Sequence, residues 1–291
     1  MKIKSNEFKL RFLMILAMAT WGLSWSNAKI LGQYEDAPIL MFWRFLLATI
    51  TFAPVVLWKK NSFYFNQYSL KYIIPNAVFM VSYNYYYFKG TQIGFAGSGG
   101  VLVTTLNPIL TALFSYLFFG GLLIKKDIIS FILGLSGACI IIRLWDIDIS
   151  LLFQTGNIYF ILASFSWVLV TIITSKSKYI IPFITYSFWS FAFSALFSFT
   201  LVFNENLMKI FLFDLKFWIN MILLAVGAMA FGTSIYFQAS TELGPKKASS
   251  FIFTVPVSAM LFAIIILNEP LFITTLIGGS LGIIAVYLIN D

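Results

Sequence analysis

Two matching stretches decide the fold of this chain: YFKGTQIGFAGSGGVLVTTLNP at residues 87–108 and YFQASTELGPKKASSFIFTVP at residues 236–256. Each begins with a Tyr-Phe pair, passes a glycine turn and ends at a proline inside an apolar run. Further matches between the two halves are Trp21 with Trp167, Trp43 with Trp189, and GLSG at 134–137 with GSLG at 279–282. An internal duplication of this kind, in a membrane protein, is typical of carriers whose binding site lies between the halves.

The composition places the chain in a lipid bilayer. Hydrophobic residues make up 60% of it, charged residues 10%, and the mean hydropathy is +0.91, whereas a soluble domain is about 45–50% apolar and about 25% charged. The net charge of +8 comes from basic residues in short clusters between apolar runs. That pattern favours loops at an anionic membrane face over a nucleic-acid groove. We therefore expect a lipid bilayer and a small-molecule substrate as partners, and no nucleic acid.

Residues that carry chemistry are scarce. Histidine is absent and Cys139 is the single cysteine, which excludes histidine relays, Ser-His-Asp triads and cysteine metal clusters. The sequence contains no Walker loop and no HExxH motif. The predicted spans hold neither paired carboxylates nor a nucleophile with a base, so we expect no enzymatic activity, no cofactor and no metal.

Apolar segments long enough to cross a membrane predict an all-α integral membrane protein. A hydrocarbon core of ~30 Å requires about 20 apolar residues per helix. Ten segments meet this requirement, at 10–31, 37–58, 70–92, 95–119, 127–145, 155–175, 180–203, 216–240, 247–267 and 271–289. No segment alternates in the manner of a β-barrel strand.

The basic residues predict the orientation of the spans. With the N-terminus inside, the loops holding Lys59-Lys60, Lys125-Lys126 and Lys246-Lys247 are cytoplasmic, and most acidic residues face outward. Both termini are then cytoplasmic in a multi-pass protein of the cytoplasmic (inner) membrane. Because five spans are an odd number, a second copy of five enters the membrane upside down. We expect two inverted five-helix repeats, at 1–148 and 149–291.

In these residues the chain resembles the drug/metabolite transporter superfamily, specifically its EamA-type ten-helix carriers. The motifs that carry the resemblance are Trp21-Gly22, Phe42-Trp43-Arg44-Phe45, Pro108, Pro256, Asn268-Glu269 and the glycine-spaced fifth and tenth spans. The resemblance implies a midplane cavity bounded by spans one, three, four, six, eight and nine. One departure is Gly120-Gly121, where the family often keeps a glutamate, and a helix-end or interface role is expected for Glu269.

The candidate substrate-binding residues are aromatic or polar side chains near the inferred cavity. They are Trp21, Asn27, Arg44, Tyr83, Asn84, Tyr87, Thr104, Asn107, Trp167, Tyr236, Gln238 and Thr254. Each type has a structural alternative, since tyrosines also form interfacial belts and hydroxyls also bond to nearby backbone carbonyls. Pro108 and Pro256 are predicted to kink their helices, and the glycine clusters to permit close helix contact.

Arg44 leaves two readings open. A charge inside a span costs ~2.5–3.5 kcal/mol at a helix centre on insertion scales and indicates a functional site. However, Arg44 lies about six residues, or about 9 Å, from the outer start of its helix. Its long side chain could therefore reach the surface and anchor the helix instead.

These observations predict a secondary transporter of small organic metabolites, amino acids or related solutes, working by alternating access. The resemblance to the EamA-type carriers implies export as its direction. One alternative is an uptake or exchange carrier, for example for solutes like S-adenosylmethionine. Another is a non-transporting membrane assembly subunit. A homodimer is compatible with the sequence.

Overall fold

The computed structural model describes residues 2–119, 124–146 and 155–290, and within these it contains helices and turns but no strand. The helices are α1 (Lys2–Leu31), α2 (Ala37–Trp58), α3 (Gln67–Ile93), α4 (Ala96–Phe119), α5 (Lys125–Ile141), α6 (Asn157–Lys176), α7 (Phe183–Thr200), α8 (Leu215–Glu242), α9 (Pro245–Leu267) and α10 (Ile273–Asn290). Short 3-10 turns occupy Leu144–Asp146 and Leu207–Leu212.

These helices follow the apolar segments of the sequence. Six of them contain stretches long and apolar enough to cross a membrane: α2, α4, α6, α7, α8 and α9. The prediction of an all-helical fold is confirmed for the described residues. Two boundaries were wrong: α1 begins at Lys2, well before residue 10, and α5 ends at Ile141 rather than at 145.

Two of the long helices change their winding part-way. In α8, the stretch Leu223–Thr233 is a π-helix between two α-helical parts. In α9, Phe251–Thr254 forms a 3-10 turn between Pro245–Ser250 and the α-helix Val255–Leu267. Such changes place local backbone groups away from their regular α-helical partners, and π turns are frequent at functional sites.

Polar residues fix where helices begin. The Asn66 side chain accepts a hydrogen bond from the Ser69 N–H at 3.0 Å at the start of α3, and Asp214 accepts one from the Phe217 N–H at 2.9 Å at the start of α8. Each satisfies an amide that has no partner within its own helix. Before α6, Gly156 takes a positive φ of 75°, a conformation that favours glycine.

The packing partners of the helices form a regular scheme. Three closely packed pairs join helices whose numbers differ by five: α5–α10, α4–α9 and α2–α7. Six further close pairs form three sets of two: α3–α6 and α1–α8, α4–α6 and α1–α9, and α3–α7 and α2–α8. Adding five to each helix number of the first half, and subtracting five in the second, maps this set of contacts onto itself. The two halves therefore use equivalent faces against each other.

Glycines allow the closest of these contacts. A Cβ added at Gly137 of α5 would lie 2.5 Å from the carbonyl oxygen of Gly278 of α10, and Gly278 meets the Gly137 carbonyl in the same way. In α4, a Cβ at Gly100 would lie 2.7 Å from the Ala259 Cβ of α9. The expectation that glycine clusters permit close helix contact is confirmed at these positions.

Candidate functional site

A small cavity lies at the centre of the bundle, where α1, α2, α3, α4, α6 and α8 meet. Its lining consists of Trp21, Ser24, Trp25, Arg44, Tyr83, Thr104, Asn107, Trp167, Met229 and Thr233. The cavity volume is about 20 Å³, which is room for about one water molecule. The expected set of cavity helices was partly wrong, because α2 contributes Arg44 and α9 contributes none of these residues.

Aromatic rings form one wall of this central cavity. The ring centroids of Trp21 and Trp167, the two repeat-matched tryptophans, lie 5.0 Å apart in an edge-to-face arrangement. Tyr236 lies 5.1 Å from Trp21 and 5.6 Å from Trp167, and Tyr83 lies 4.7 Å from Trp167. Trp21, Tyr83 and Trp167 line the cavity and offer apolar faces with polar edges, which suits the body of a small amphipathic solute. Tyr236 packs behind them and is fully buried.

The π-helix of α8 holds one of these tryptophans in place. The Trp21 indole N–H donates to the carbonyl oxygen of Ala228 at 2.9 Å, a group in the middle of the π-helical stretch. A Cβ at Gly232 would lie 2.8 Å from the same indole nitrogen, so α8 approaches α1 closely here. By contrast, the indole nitrogen of Trp167 is buried without a hydrogen-bond partner.

Arg44 points into the protein interior. Only 4% of the residue is exposed, and its Nη1 donates to the Asn84 side-chain oxygen at 2.8 Å. The guanidinium carbon lies 5.3 Å from the ring centroid of Tyr87 and 6.0 Å from that of Phe88. Its Nε is buried without a partner. The reading of Arg44 as a surface anchor is wrong, because α3 covers it with polar and aromatic groups.

Several hydroxyls near the cavity are already engaged. Tyr87 donates to the Ser24 carbonyl at 2.5 Å, and the hydroxyls of Tyr236 and Thr171 lie 2.9 Å apart. Thr104 donates to the Gly100 carbonyl of its own helix. These side chains position the rings and leave few hydroxyls for a ligand.

Unpaired polar groups remain on α4. The side-chain oxygen of Asn107 is buried without a partner, and it belongs to the cavity lining. The next residue, Pro108, has no N–H and therefore cannot bond to the Thr104 carbonyl one turn earlier. α4 thus places an unpaired side-chain acceptor, the Asn107 oxygen, on a cavity-lining residue beside the proline.

A larger cavity of about 560 Å³ lies between α1, α2, α7 and α8. Lys9, Lys59 and Glu242 line one part of it, and Val226 and Ala230 of the π-helix line another. The neighbouring residues Met229 and Thr233 line the central cavity. The π-helix therefore separates the two spaces.

At the end of the bundle opposite Lys9 and Lys59, a carboxylate joins the end of α9 to the start of α4. Glu269, after α9, accepts hydrogen bonds at 2.8 Å from the backbone N–H groups of Ala96 and Gly97, which open α4. An acidic side chain at a helix N-terminus is stabilising. Nearby, the Lys29 ammonium donates to the Gly94 carbonyl at 2.8 Å. Glu269 thus has the interface role expected of it.

A second polar contact joins α1 to α8. The Tyr34 hydroxyl donates to the Asp214 carboxylate at 2.9 Å. The backbone N–H of Phe217 and the Tyr34 hydroxyl hold the pKa of Asp214 below its usual range. The same hydrogen bond raises the pKa of Tyr34. Asp214 is exposed, whereas Tyr34 is partly buried.

With this geometry established, comparison with known proteins gives the family. The model of the EamA-like transporter family matches residues 9–143 and again residues 154–291. The chain belongs to the EamA-like transporter family. The resemblance seen in the sequence is thereby confirmed, and the protein is a multi-pass membrane protein of a transporter family.

Two curated relatives in this family are equally distant in sequence. An uncharacterized transporter of Archaeoglobus fulgidus is 23% identical over 282 residues, with 96% of each chain covered. The uncharacterized transporter YvbV of Bacillus subtilis is 23% identical over 287 residues, covering 97% of this chain and 90% of its own. One solved crystal structure of a protein aligns with a TM-score of 0.68 at 15% identity, covering 98% of this chain and 96% of that one. It agrees with this chain in fold.

The structure brings most of the predicted site residues together. Trp21, Arg44, Tyr83, Thr104, Asn107 and Trp167 line the central cavity, and Asn84, Tyr87 and Tyr236 contact those residues from behind. Three others lie elsewhere. Asn27 is buried in α1 outside the lining, Gln238 donates to Glu242 at 2.7 Å beside the larger cavity, and Thr254 bonds to the Phe251 carbonyl in its own turn.

Sequence reasoning missed four lining residues. Trp25 lies one helical turn after Trp21, so the i, i+4 spacing of the two tryptophans could have indicated it. Ser24 faces the cavity from the same helix, whereas Met229 and Thr233 belong to the π-helix, which no sequence pattern indicated.

The two prolines differ in their local structure. Pro256 is the second residue of the α-helix Val255–Leu267, which follows the 3-10 turn Phe251–Thr254, and a kink at Pro256 stays a prediction. Pro108 lies within the continuous helix α4. A kink at Pro108 stays a prediction.

Proposed function

We propose that this EamA-family protein is a secondary transporter that moves small organic metabolites, amino acids or related solutes, across the cytoplasmic membrane by alternating access. The observation that carries the proposal is the contact between Trp21 and Trp167 at the central cavity. Equivalent residues of two repeats meet only near the axis that relates the repeats, and carriers bind substrate there.

Ten spans in two inverted repeats, 1–148 and 149–291, are part of this proposal. The exchange symmetry of the helix contacts supports it, because the closely packed pairs named above have counterparts five helices along. The two separate matches to the family model fall in the same halves. In the shorter or less apolar helices α1, α3, α5 and α10, a membrane-spanning role follows from this symmetry.

The ion pairs support the proposed orientation, with both termini cytoplasmic. Lys209 pairs with Glu35 at 2.7 Å, and both lie in loops predicted to face outward. Lys246 pairs with Asp127 at 3.7 Å, and both are predicted at the cytoplasmic face. Each contact thus joins residues assigned to one side.

The cavities suggest which face is open. The larger cavity lies at the end holding Lys9 and Lys59, the proposed cytoplasmic end. At the outer end, Glu269 joins the two halves through Ala96 and Gly97. This arrangement is that of a carrier closed outside and accessible from the cytoplasm, from which export would begin.

The experiment that tests the proposal is flux of radiolabelled amino acids into proteoliposomes holding the purified protein. We expect flux in the wild type, loss of flux in Trp167→Ala, and wild-type flux in the control Trp58→Ala, because the Trp58 side chain is 77% exposed at the end of α2. Equal flux in both variants, or none in the wild type with any amino acid or related solute, would overturn the proposal.

The same assay separates the alternatives. Flux that needs unlabelled substrate on both sides of the membrane would indicate an obligate exchanger, including one for solutes like S-adenosylmethionine. A complete lack of flux with a properly folded protein would favour an assembly subunit. Sedimentation in detergent would show whether the protein is a homodimer.

A further inference from the structure

We propose that Arg44 binds the carboxylate of the transported solute, so that the central cavity accepts only solutes that carry one carboxylate beside an apolar or aromatic body. This inference rests on the proposed transport function and names the substrate class that the site takes. It is carried by a buried cation that lies on the cavity wall without an acidic partner.

The positive charge of Arg44 has no ion-pair partner among the described residues. The residue is 4% exposed, and the ion pairs found among the described residues do not include it. The whole sequence holds eleven acidic residues, and the predicted spans contain none of them except Asp127, at the very start of one. None of the ion pairs and no acidic residue of the predicted span that holds it thus serves Arg44, and a buried cation without a counter-charge is costly.

The groups around the Arg44 guanidinium leave most of its N–H donors free. A guanidinium has five N–H donors in a planar fork, and Arg44 uses one of them, on Asn84. The tyrosine and phenylalanine rings beside it offer only their π faces. The unused donors match the two oxygens of a carboxylate, which arginine binds in a bidentate manner.

The rest of the described cavity wall carries two further polar atoms without hydrogen-bond partners. The indole N–H of Trp167 is a second donor without a partner, and the Asn107 side-chain oxygen is an acceptor without one. Both residues line the same cavity as Arg44. The cavity has a volume of only about 20 Å³ in this structure, so the proposal requires it to widen when solute enters. A solute with a carboxylate, a donor group such as an ammonium or hydroxyl, and an apolar body would then satisfy all three.

The described lining of the cavity holds a single basic side chain, so it suits a solute with one negative charge. Because Trp43 matches Trp189 across the repeat, the position equivalent to Arg44 is Ser190. Ser190 is buried and accepts a hydrogen bond from Asn76 at 3.0 Å. Arg44 is the single lysine or arginine among the described lining residues. The site therefore suits one carboxylate rather than a phosphate ester or a dianion.

The experiment compares acids with their amides. The detergent-purified protein is heated with each of the twenty L-amino acids and with each corresponding carboxamide, which keeps the amine and removes the negative charge. Stabilisation by a ligand grows with its concentration over Kd, so titrations give relative affinities. We expect at least one acid to raise Tm in a saturable way, and its amide to bind at least ten-fold more weakly.

Variants assign the effect to Arg44. Arg44→Gln is expected to abolish the preference for the acid, and Arg44→Lys to weaken binding while keeping some preference, because a lysine retains the charge but not the fork. The control Lys71→Gln removes a positive charge from an exposed position of α3 and should bind as the wild type does. If Arg44→Gln fails to fold, Arg44→Lys decides, and equal binding of acid and amide to it contradicts the proposal.

Other results overturn the inference directly. These are equal shifts with acid and amide in the wild type, no shift with any of the panel, or unchanged acid binding in Arg44→Gln. Saturable stabilisation by chloride that blocks the amino acid would assign Arg44 to an inorganic anion instead. Flux of an amide, or flux in Arg44→Gln, would refute the role of Arg44 and leave the transporter intact, whereas acid binding without any flux would refute transport and leave the binding residue.

Discussion

The close backbone contact between Gly137 and Gly278 makes a sharp prediction: Gly137→Ala destabilises the protein by separating α5 from α10. The new Cβ would lie 2.5 Å from the Gly278 carbonyl oxygen, whereas ordinary van der Waals contact begins at 3.4 Å. The two backbones must therefore move apart by about 0.9 Å along this direction, the difference between these distances. The clashing atom is backbone, so no rotamer change relieves it.

The magnitude follows from the cost of overpacking. Inserting a methyl group into a well-packed contact costs typically ~1–3 kcal/mol. Replacing glycine by alanine within a helix returns about 0.5–1 kcal/mol through backbone entropy. Gly227→Ala is a matched control, because a Cβ there meets no atom within 4 Å. The difference in unfolding free energy between the two variants should then be ~1–3 kcal/mol, nearly all of it from the clash.

The assay is thermal unfolding in detergent, followed by intrinsic tryptophan fluorescence. Gly137→Ala should unfold several degrees below the wild type, and Gly227→Ala at or above it. Gly137→Leu should lower the midpoint further, since its longer side chain meets the same backbone. A midpoint of Gly137→Ala equal to or above that of Gly227→Ala would mean that α5 and α10 do not pack through these glycines.

Three further predictions concern polar contacts. Glu269→Ala removes a charged acceptor from two backbone N–H groups and should lower the free energy of unfolding by ~2–4 kcal/mol. The control Glu205→Ala, at an exposed position, should stay within about 0.5 kcal/mol of the wild type. Similar losses in both variants would contradict the contact. The pKa of Asp214 is lowered in the folded protein, so its contribution is present at pH 7 and lost as the pH falls below about 4. The Tm of the wild type should fall more steeply there than that of Asp214→Asn, and parallel curves would refute this. Trp21→Phe keeps a ring but loses the bond to the Ala228 carbonyl, and should lower Tm and the fluorescence response to a bound amino acid; an unchanged Tm would show that the bond contributes nothing.

The repeat explains why the centre of the site was predictable. Trp21 and Trp167 occupy equivalent positions, and equivalent residues of two repeats meet only where both lie near the axis between them. The structure places their rings 5.0 Å apart. A match along the sequence thus carried information about distance in space, without any knowledge of the helix packing.

Gln238 shows where such matching fails. It follows Tyr236 by two residues, as Lys89 follows Tyr87, but it faces the larger cavity and bonds to Glu242. Both residues lie in the regular α-helical part of α8, Ser234–Glu242, where two residues turn the helix by about 200°. Gln238 therefore faces away from the side of α8 on which Tyr236 meets Trp21 and Trp167.

The sequence by itself predicted the helices, the membrane environment and most of the aromatic wall, because hydropathy and spacing act along one helix at a time, and its internal matches are the basis of the proposed repeat. Only the tertiary structure decided whether the Arg44 side chain is buried or reaches the surface. Its distance from the helix end allowed the side chain to reach the surface, and only the packing of α3 against α2 directs it to Asn84 and the ring of Tyr87. Whether a charge is buried depends on which distant residues surround it, and those contacts arise only when the helices come together.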